Sequence, residues 1–329
     1  MSRERRKILV TGGAGFIGSN LVEALLTRGD DVRVLDDFST GRRQNLAGAP
    51  GWAGAGGGRF ELIEGSVCDR STVTRAVSGV EAVLHQAAIA SVPRSVADPI
   101  RTNEVSVTGT LLLLVAARDA RVARFVYASS SSVYGESPAL PKVETMPPEP
   151  ISPYGIAKLA AERYTRVFHR LYGLGTVSLR YFNVFGPRQD PGSEYAAVVP
   201  RFATAILRGR PPTIYGDGEQ TRDFNPIANV IEANLKSIEA PDEACVRAYN
   251  IACGQRISLL DLARRFADLA GVTVAPVHEP ARAGDIRHSL ADISAARSAL
   301  GYTAAVSVEE GIRIAFAHYR ELVARGEEV

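Results

Sequence analysis

Three glycines at fixed spacing, Gly12, Gly15 and Gly18, constrain this chain more than any other feature. They follow the apolar run Ile8-Leu9-Val10 and precede a helical pattern of Ile17, Leu21, Val22, Leu25 and Leu26. The chain therefore passes from a strand through a tight turn into a helix. Glycine suits such a turn because the backbone can approach a ligand closely. Free amides at the helix N-terminus, aided by the helix dipole, bind an anion such as a pyrophosphate. The next strand, Val32 to Leu35, ends at Asp36, eighteen residues after Gly18. An acid there accepts from both ribose hydroxyls of a dinucleotide and repels a 2′-phosphate, so NAD is favoured over NADP. The adjacent Asp37 reads equally well as a cap on the following turn.

Further apolar runs at Phe60 to Ile63, Ala82 to His85, Phe125 to Ala128 and Val177 to Tyr181 alternate with helical patterns. This alternation predicts an α/β chain with a doubly wound parallel sheet. Helices over 105–119 and 153–171 carry Leu111, Leu112, Val115, Leu159, Tyr164 and Phe168. We expect those faces to pack on the sheet, with a helix-pair dimer contact as the second reading. After residue 182 the sequence turns Pro-rich and loop-rich, as in Gly186-Pro187-Arg188-Gln189-Asp190-Pro191. The 329 residues then divide into a cofactor domain, 1–181 with a return segment near 226–252, and a smaller C-terminal substrate domain, 182–329. Residues 47–58 are almost entirely Gly, Ala and Pro and read as a mobile loop.

Composition excludes several classes. No stretch approaches the ~20 apolar residues of a membrane span, and a formal charge of +2 offers no nucleic-acid surface. Cys68, Cys245 and Cys253 lack metal-ligand spacing and would leave an odd thiol if two were bridged. The Arg-rich start shows no secretory apolar region. The expectation is a cytoplasmic protein with no metal and neither membrane nor nucleic acid as a partner.

Tyr154 and Lys158 lie four residues apart and so share a helix face. A phenol ordinarily titrates near a pKa of about 10. A neighbouring ammonium and an oxidised nicotinamide ring would both favour the phenolate and bring it towards working pH. A hydroxyl from the run Ser129 to Ser132 could then hold a substrate alcohol in line. Y-x-x-x-K alone is common by chance, and the glycine loop is what raises it to a catalytic reading. Arg188, Arg222 and Arg282 sit in loop-like contexts, where a guanidinium fork suits a diphosphate.

With these residues in place the chain resembles the extended short-chain dehydrogenase/reductases, and among them the NAD-dependent UDP-sugar 4-epimerases. The similarity runs through Thr11 to Leu21, Leu35 to Gly41, His85 to Ala88, Ser91 to Ser95, Ser129 to Gly135, Pro153 to Lys158, Leu179 to Gln189 and Gly284 to Asp292. It implies a Rossmann cofactor domain with NAD contacts at Gly12, Gly15, Phe16, Ile17, Gly18, Asp36, Val67 and Ala87, joined by Tyr154 and Lys158. It implies Ser130, Tyr154 and Lys158 as the catalytic set. Substrate contacts implied are Ser91, Ser130, Tyr154, Asn183, Arg188, Arg222, Arg282, Asp285 and Ser289, and the protein is expected to be a homodimer.

In related 4,6-dehydratases the position of Ser130 is followed by Asp-Glu, and the decarboxylases keep a Glu two places after it. Here Ser131 and Ser132 follow, which points to oxidation and re-reduction at C4 of UDP-glucose, UDP-galactose or a UDP-N-acetylhexosamine. Small Ser289 leaves room for an N-acetyl group. Arg188 supplies an alternative, a UDP-glucuronate 4-epimerase whose guanidinium pairs with the C6 carboxylate. A dehydratase, a decarboxylase and a non-catalytic NAD-binding regulator stand further back. The chain departs from its relatives at Ser66, where an acid is usual, at Ser106, and over Asn225-Pro226-Ile227-Ala228-Asn229.

Overall fold

A computed structural model describes residues 5–48, 59–190, 197–281 and 286–326. Most of the low-complexity stretch expected over 47–58 lies outside the described residues. The first half runs β1 (Lys7–Thr11), α1 (Phe16–Arg28), β2 (Asp31–Asp36), β3 (Phe60–Glu64), α2 (Arg70–Val77), β4 (Ala82–His85), α3 (Val92–Ala97), α4 (Pro99–Asn103), α5 (Gly109–Asp119), β5 (Arg124–Ser130), α6 (Pro153–Tyr172) and β6 (Gly175–Tyr181). The second runs β7 (Val184–Phe185), α7 (Val198–Leu207), β8 (Thr213–Tyr215), β9 (Thr221–Arg222), β10 (Asn225–Pro226), α8 (Ile227–Glu239), β11 (Ala248–Ile251), β12 (Ile257–Ser258), α9 (Leu259–Ala270), β13 (Val277–Glu279), α10 (Ser294–Leu300) and α11 (Val308–Ala324).

Among the described residues the main sheet has seven parallel strands in the order β11-β6-β5-β4-β1-β2-β3. Its strands are apolar runs because helices cover both faces, as a parallel sheet requires. The strand order reverses between β1 and β4, and ligands of such sheets bind at that switch point, beyond the strands' C-terminal ends. Local signals set the flanking helices. Ser152 caps α6 by accepting from Gly155 N, Pro153 occupies its first turn, and Gly173 ends it in a left-handed conformation.

The helix faces match expectation in part: Leu111, Val115 and Leu159 pack partly buried against the core and Phe168 lies within it. On α5 the buried residues are Gly109, Thr110, Leu113, Leu114, Ala116 and Ala117, whereas Leu111, Leu112 and Val115 are half-buried. α5 packs beside α2, whose Val73, Ala76 and Val77 join the same core, and this turns the buried stripe. On α6 Phe168 is buried but Tyr164 is exposed.

The segment after β7 contributes to both halves. β11 pairs with β6 at the sheet edge, and α8 and α10 bury Val230, Ala233, Ala296 and Leu300 against the same core. A separate core gathers Phe202 of α7, Phe266 of α9 and Phe316 of α11 around Phe185 and Phe224. Pro226 belongs to this junction, since a Cβ on Gly311 of α11 would lie 2.4 Å from its Cγ. The unusual Asn225-Pro226 pair is thus a packing point between helix and strand. Among the described residues no helix is long and apolar enough to cross a membrane, and no cluster of His, Cys, Asp or Glu could hold a metal ion. All three cysteines are free.

Candidate active site

The glycine turn leaves no room for side chains. Gly12 has φ +66°, and a Cβ there would lie 2.8 Å from Ala87 N, while one on Gly18 would lie 2.0 Å from Gly12 O. Above this floor opens a cavity of about 950 Å³, lined by Gly12, Gly15, Phe16, Ile17, Gly18 and Asp36, with Val67, Ala87 and Ser91 on its walls. That size suits a dinucleotide. Asp36 accepts from Ala14 N and Phe38 N, both at 2.8 Å, and burial raises its pKa. A carboxylate has about four acceptor sites, so Asp36 anchors the loop and keeps lone pairs for ribose hydroxyls. Asp37 caps its turn, accepting from Ser39 N at 3.0 Å.

The expected catalytic side chains come from α6 and the end of β5 and do not line this cavity. Lys158 Nζ donates to Ala128 O at 2.7 Å and lies 5.8 Å from the centre of the Tyr154 ring. Ser130 lies close enough to Tyr154 to draw the phenol's pKa down, and its Oγ is 2.6 Å from that of Ser132. The Tyr154 amide donates to Ser95 Oγ at 3.1 Å. Burial raises the phenol above its usual pKa, and nearby Ser130 offsets this only in part. The same burial lowers Lys158 to about 7, so its ammonium alone does not prepare the phenolate.

Behind these residues lies a buried network that sequence reasoning missed. Glu162 follows Lys158 by one further turn of α6 and accepts from Ser129 Oγ at 2.6 Å and from Arg180 at 2.7 and 3.0 Å. Arg180 also donates to Tyr134 Oη at 2.8 Å, and Tyr134 donates to Asn250 Oδ1 at 2.6 Å. The spacing of four that links Tyr154 to Lys158 also reaches Glu162, and it was the available signal. His85 bridges Thr11 and Thr110 at 2.7 and 2.8 Å, and burial pushes its pKa down to about 3.

After β6, Asn183 has φ +24° and donates to Asp223 O at 3.2 Å. Arg222 and Ser289 meet at Thr221: Arg222 Nη1 donates to Thr221 O at 3.0 Å, as does Ser289 N, also at 3.0 Å. Arg282 and Asp285 lie outside the described residues. Asp223, another residue not anticipated, accepts from the amides of Cys253, Gly254 and Ala291, and burial lifts its pKa to about 7. Arg188 pairs with Glu23 of α1 and lines the dinucleotide cavity. Ser66 accepts from Cys68 N at 3.2 Å, Asp69 caps α2, and Ser106 is buried with its hydroxyl unpartnered.

A sequence model described as the NAD dependent epimerase/dehydratase family matches residues 8–252. The chain belongs to that family. It is 41% identical over 308 residues to a UDP-glucose 4-epimerase of Mycolicibacterium smegmatis, covering 93% of this chain and 96% of the relative. A UDP-N-acetylglucosamine 4-epimerase from Methanobrevibacter ruminantium, solved with UDP-N-acetylmuramic acid, superposes with a TM-score of 0.90 at 37% identity, covering 97% of this chain and 99% of that one. A UDP-glucuronic acid 4-epimerase from Bacillus cereus, solved with UDP-glucuronic acid and NAD, gives 0.87 at 31% identity, with coverage of 96% and 99%. The cofactor of this family member is NAD, and the side-chain-free floor, the acid at the end of β2 and the long cavity fit it.

Proposed function

We propose that this isomerase is a UDP-hexose 4-epimerase acting on UDP-glucose and UDP-galactose or on UDP-N-acetylhexosamines. The observation that carries the reading is the surroundings of Ser130. Its hydroxyl meets Tyr154 and Ser132, and positions 131 and 132 hold serines in place of the carboxylates that would drive elimination or loss of CO₂.

When bound, NAD supplies reversible acceptance of the C4 hydrogen with its electron pair. Ser130 holds the 4-hydroxyl in line, and Tyr154 takes its proton. Lys158, fixed by Ala128 O, sets its ammonium beneath the Tyr154 ring and stabilises the phenolate. The 4-keto sugar turns over while Arg222 and Asn183 keep the diphosphate side in place; the C4 hydrogen then returns with its electron pair to the opposite face of the ketone as Tyr154 gives the proton back to O4. Sugar contacts must then be fewer than nucleotide contacts, so that both orientations fit. The test is incubation of purified protein with UDP-glucose, UDP-N-acetylglucosamine and UDP-glucuronate, without added NAD, and resolution of C4 epimers by proton NMR. Conversion of a neutral sugar supports the reading; inertness towards all three, even with NAD supplied, removes it.

The ion pair of Arg188 with Glu23 supports the neutral substrates, because a carboxylate of α1 already partners this guanidinium. An exposed apolar stripe on α6, with Ile156 58% and Leu171 68% accessible and Val167 between them, supports a homodimer through this helix. Light scattering that finds only monomer at micromolar concentration would remove that assembly. Three free cysteines support a reducing, cytoplasmic setting.

A further inference from the structure

The proposed reaction returns its cofactor unchanged, so a dinucleotide that escapes after the first half-reaction strands a ketone. Retention of NAD is therefore a demand of that reading, on which this inference rests. The segment 186–190 crosses from the later half of the chain to the glycine-loop helix, and Arg188, Gln189 and Asp190 line the same cavity as Gly12 and Asp36. It is tied down on both sides. Towards the cofactor half, Asn20 Nδ2 donates to Pro187 O at 3.1 Å, Arg42 pairs with Asp190 at 2.6 Å, and Arg188 pairs with Glu23. Towards α11, Arg188 N donates to His318 Nε2 at 3.1 Å and Tyr319 Oη donates to Gln189 O at 3.0 Å.

Two features mark this segment as more than a connection. Arg188 is a non-glycine residue with φ +69°, a costly conformation that persists where the surroundings over-determine it and that clusters at ligand clamps. Its Nη1 is buried without a hydrogen-bond partner, a donor left for an anionic ligand in the cavity it lines. The two ion pairs run in opposite senses, with Glu23 and Arg42 on the cofactor half facing Arg188 and Asp190. They are partly exposed, and such pairs are weak enough to open.

We propose that residues 186–190 form a clasp over the dinucleotide, latched by Glu23 and Arg42, that retains NAD between the two halves of the reaction. The test is exchange of bound NAD against isotopically labelled NAD, followed by mass spectrometry, in the wild-type protein and in Glu23→Gln/Arg42→Gln. The clasp predicts exchange about tenfold faster in the double variant, with unchanged thermal unfolding and full kcat at saturating NAD. Exchange at the wild-type rate overturns it. So does a loss of kcat that added NAD does not restore when exchange is unaltered, since the segment would then act on the sugar. Because exchange needs no UDP-sugar, it reads the clasp even if the protein proves inert as an epimerase.

Discussion

Lys158 Nζ holds the carbonyl oxygen of Ala128 at 2.7 Å, two residues before Ser130 and one helical turn beyond Tyr154. Burial lowers this lysine from 10.5 to about 7. Its folded-state pKa is depressed, so its contribution to stability is present above about 10.5 and is lost as pH falls through about 7. In cofactor-free protein, Lys158→Met should flatten the rise of thermal stability between those limits. Unfolding curves at pH 6, 8 and 10 check this, and a slope identical to wild type would count against it.

Tyr154→Phe keeps the ring and removes the proton acceptor. We expect turnover to fall by about 10²- to 10⁴-fold while NAD and UDP still bind, because Asp36 and the glycine floor are untouched. Isothermal titration beside the NMR assay measures both quantities. A near-normal rate would refute the assignment of the base.

Asp223 titrates in the opposite sense to Lys158. Its pKa rises from 3.8 to about 7, so its contribution is full below about 3.8 and is lost as pH rises through about 7. Asp223→Asn should remove that decline. It should also cost about 1–3 kcal/mol, since an amide cannot accept from all three backbone donors. Melting temperatures of both proteins at pH 5 and pH 8 decide it.

Gly18→Ala would set a Cβ 2.0 Å from Gly12 O, against backbone that cannot yield without reshaping the turn. Loss of NAD binding is expected, with destabilisation of about 1–3 kcal/mol. Wild-type NAD affinity in this variant would mean that the turn is looser than its geometry.

Arg188→Ala separates the two substrate readings when NAD is saturating. The pairing with Glu23 leads us to expect neutral and uronate sugars to be affected alike, each within about threefold. Selective collapse of UDP-glucuronate turnover would favour the carboxylate reader instead.

Much of the sheet was legible because strands such as β1 and β4 are buried on both faces and read as apolar runs, whereas β6 buries Ser178 and Arg180 among its apolar residues and β3 is largely uncovered. Gly18, Tyr154 and Lys158 were legible because their spacing alone states a local geometry. Glu162 and Arg180 were not, since their meeting depends on β5 and β6 standing side by side with Ser129 opposite Arg180. Burial likewise decides the Tyr154 and Lys158 pKa values, and spacing carries no burial. The contacts of Arg188 and Asp190 with α1 and Arg42 join residues more than a hundred positions apart, beyond the reach of periodicity.

The place of β11 at the sheet edge bears on how the chain must be made. Until a ribosome has passed Ile251 the outer edge of β6 has no neighbour, and until it has passed Leu300 the apolar groups that α10 covers stand in water. A nascent or truncated chain ending near residue 181 therefore presents an open strand edge, the kind of surface that recruits other chains. Cutting the protein at its apparent midpoint should yield aggregate in place of a soluble NAD-binding half.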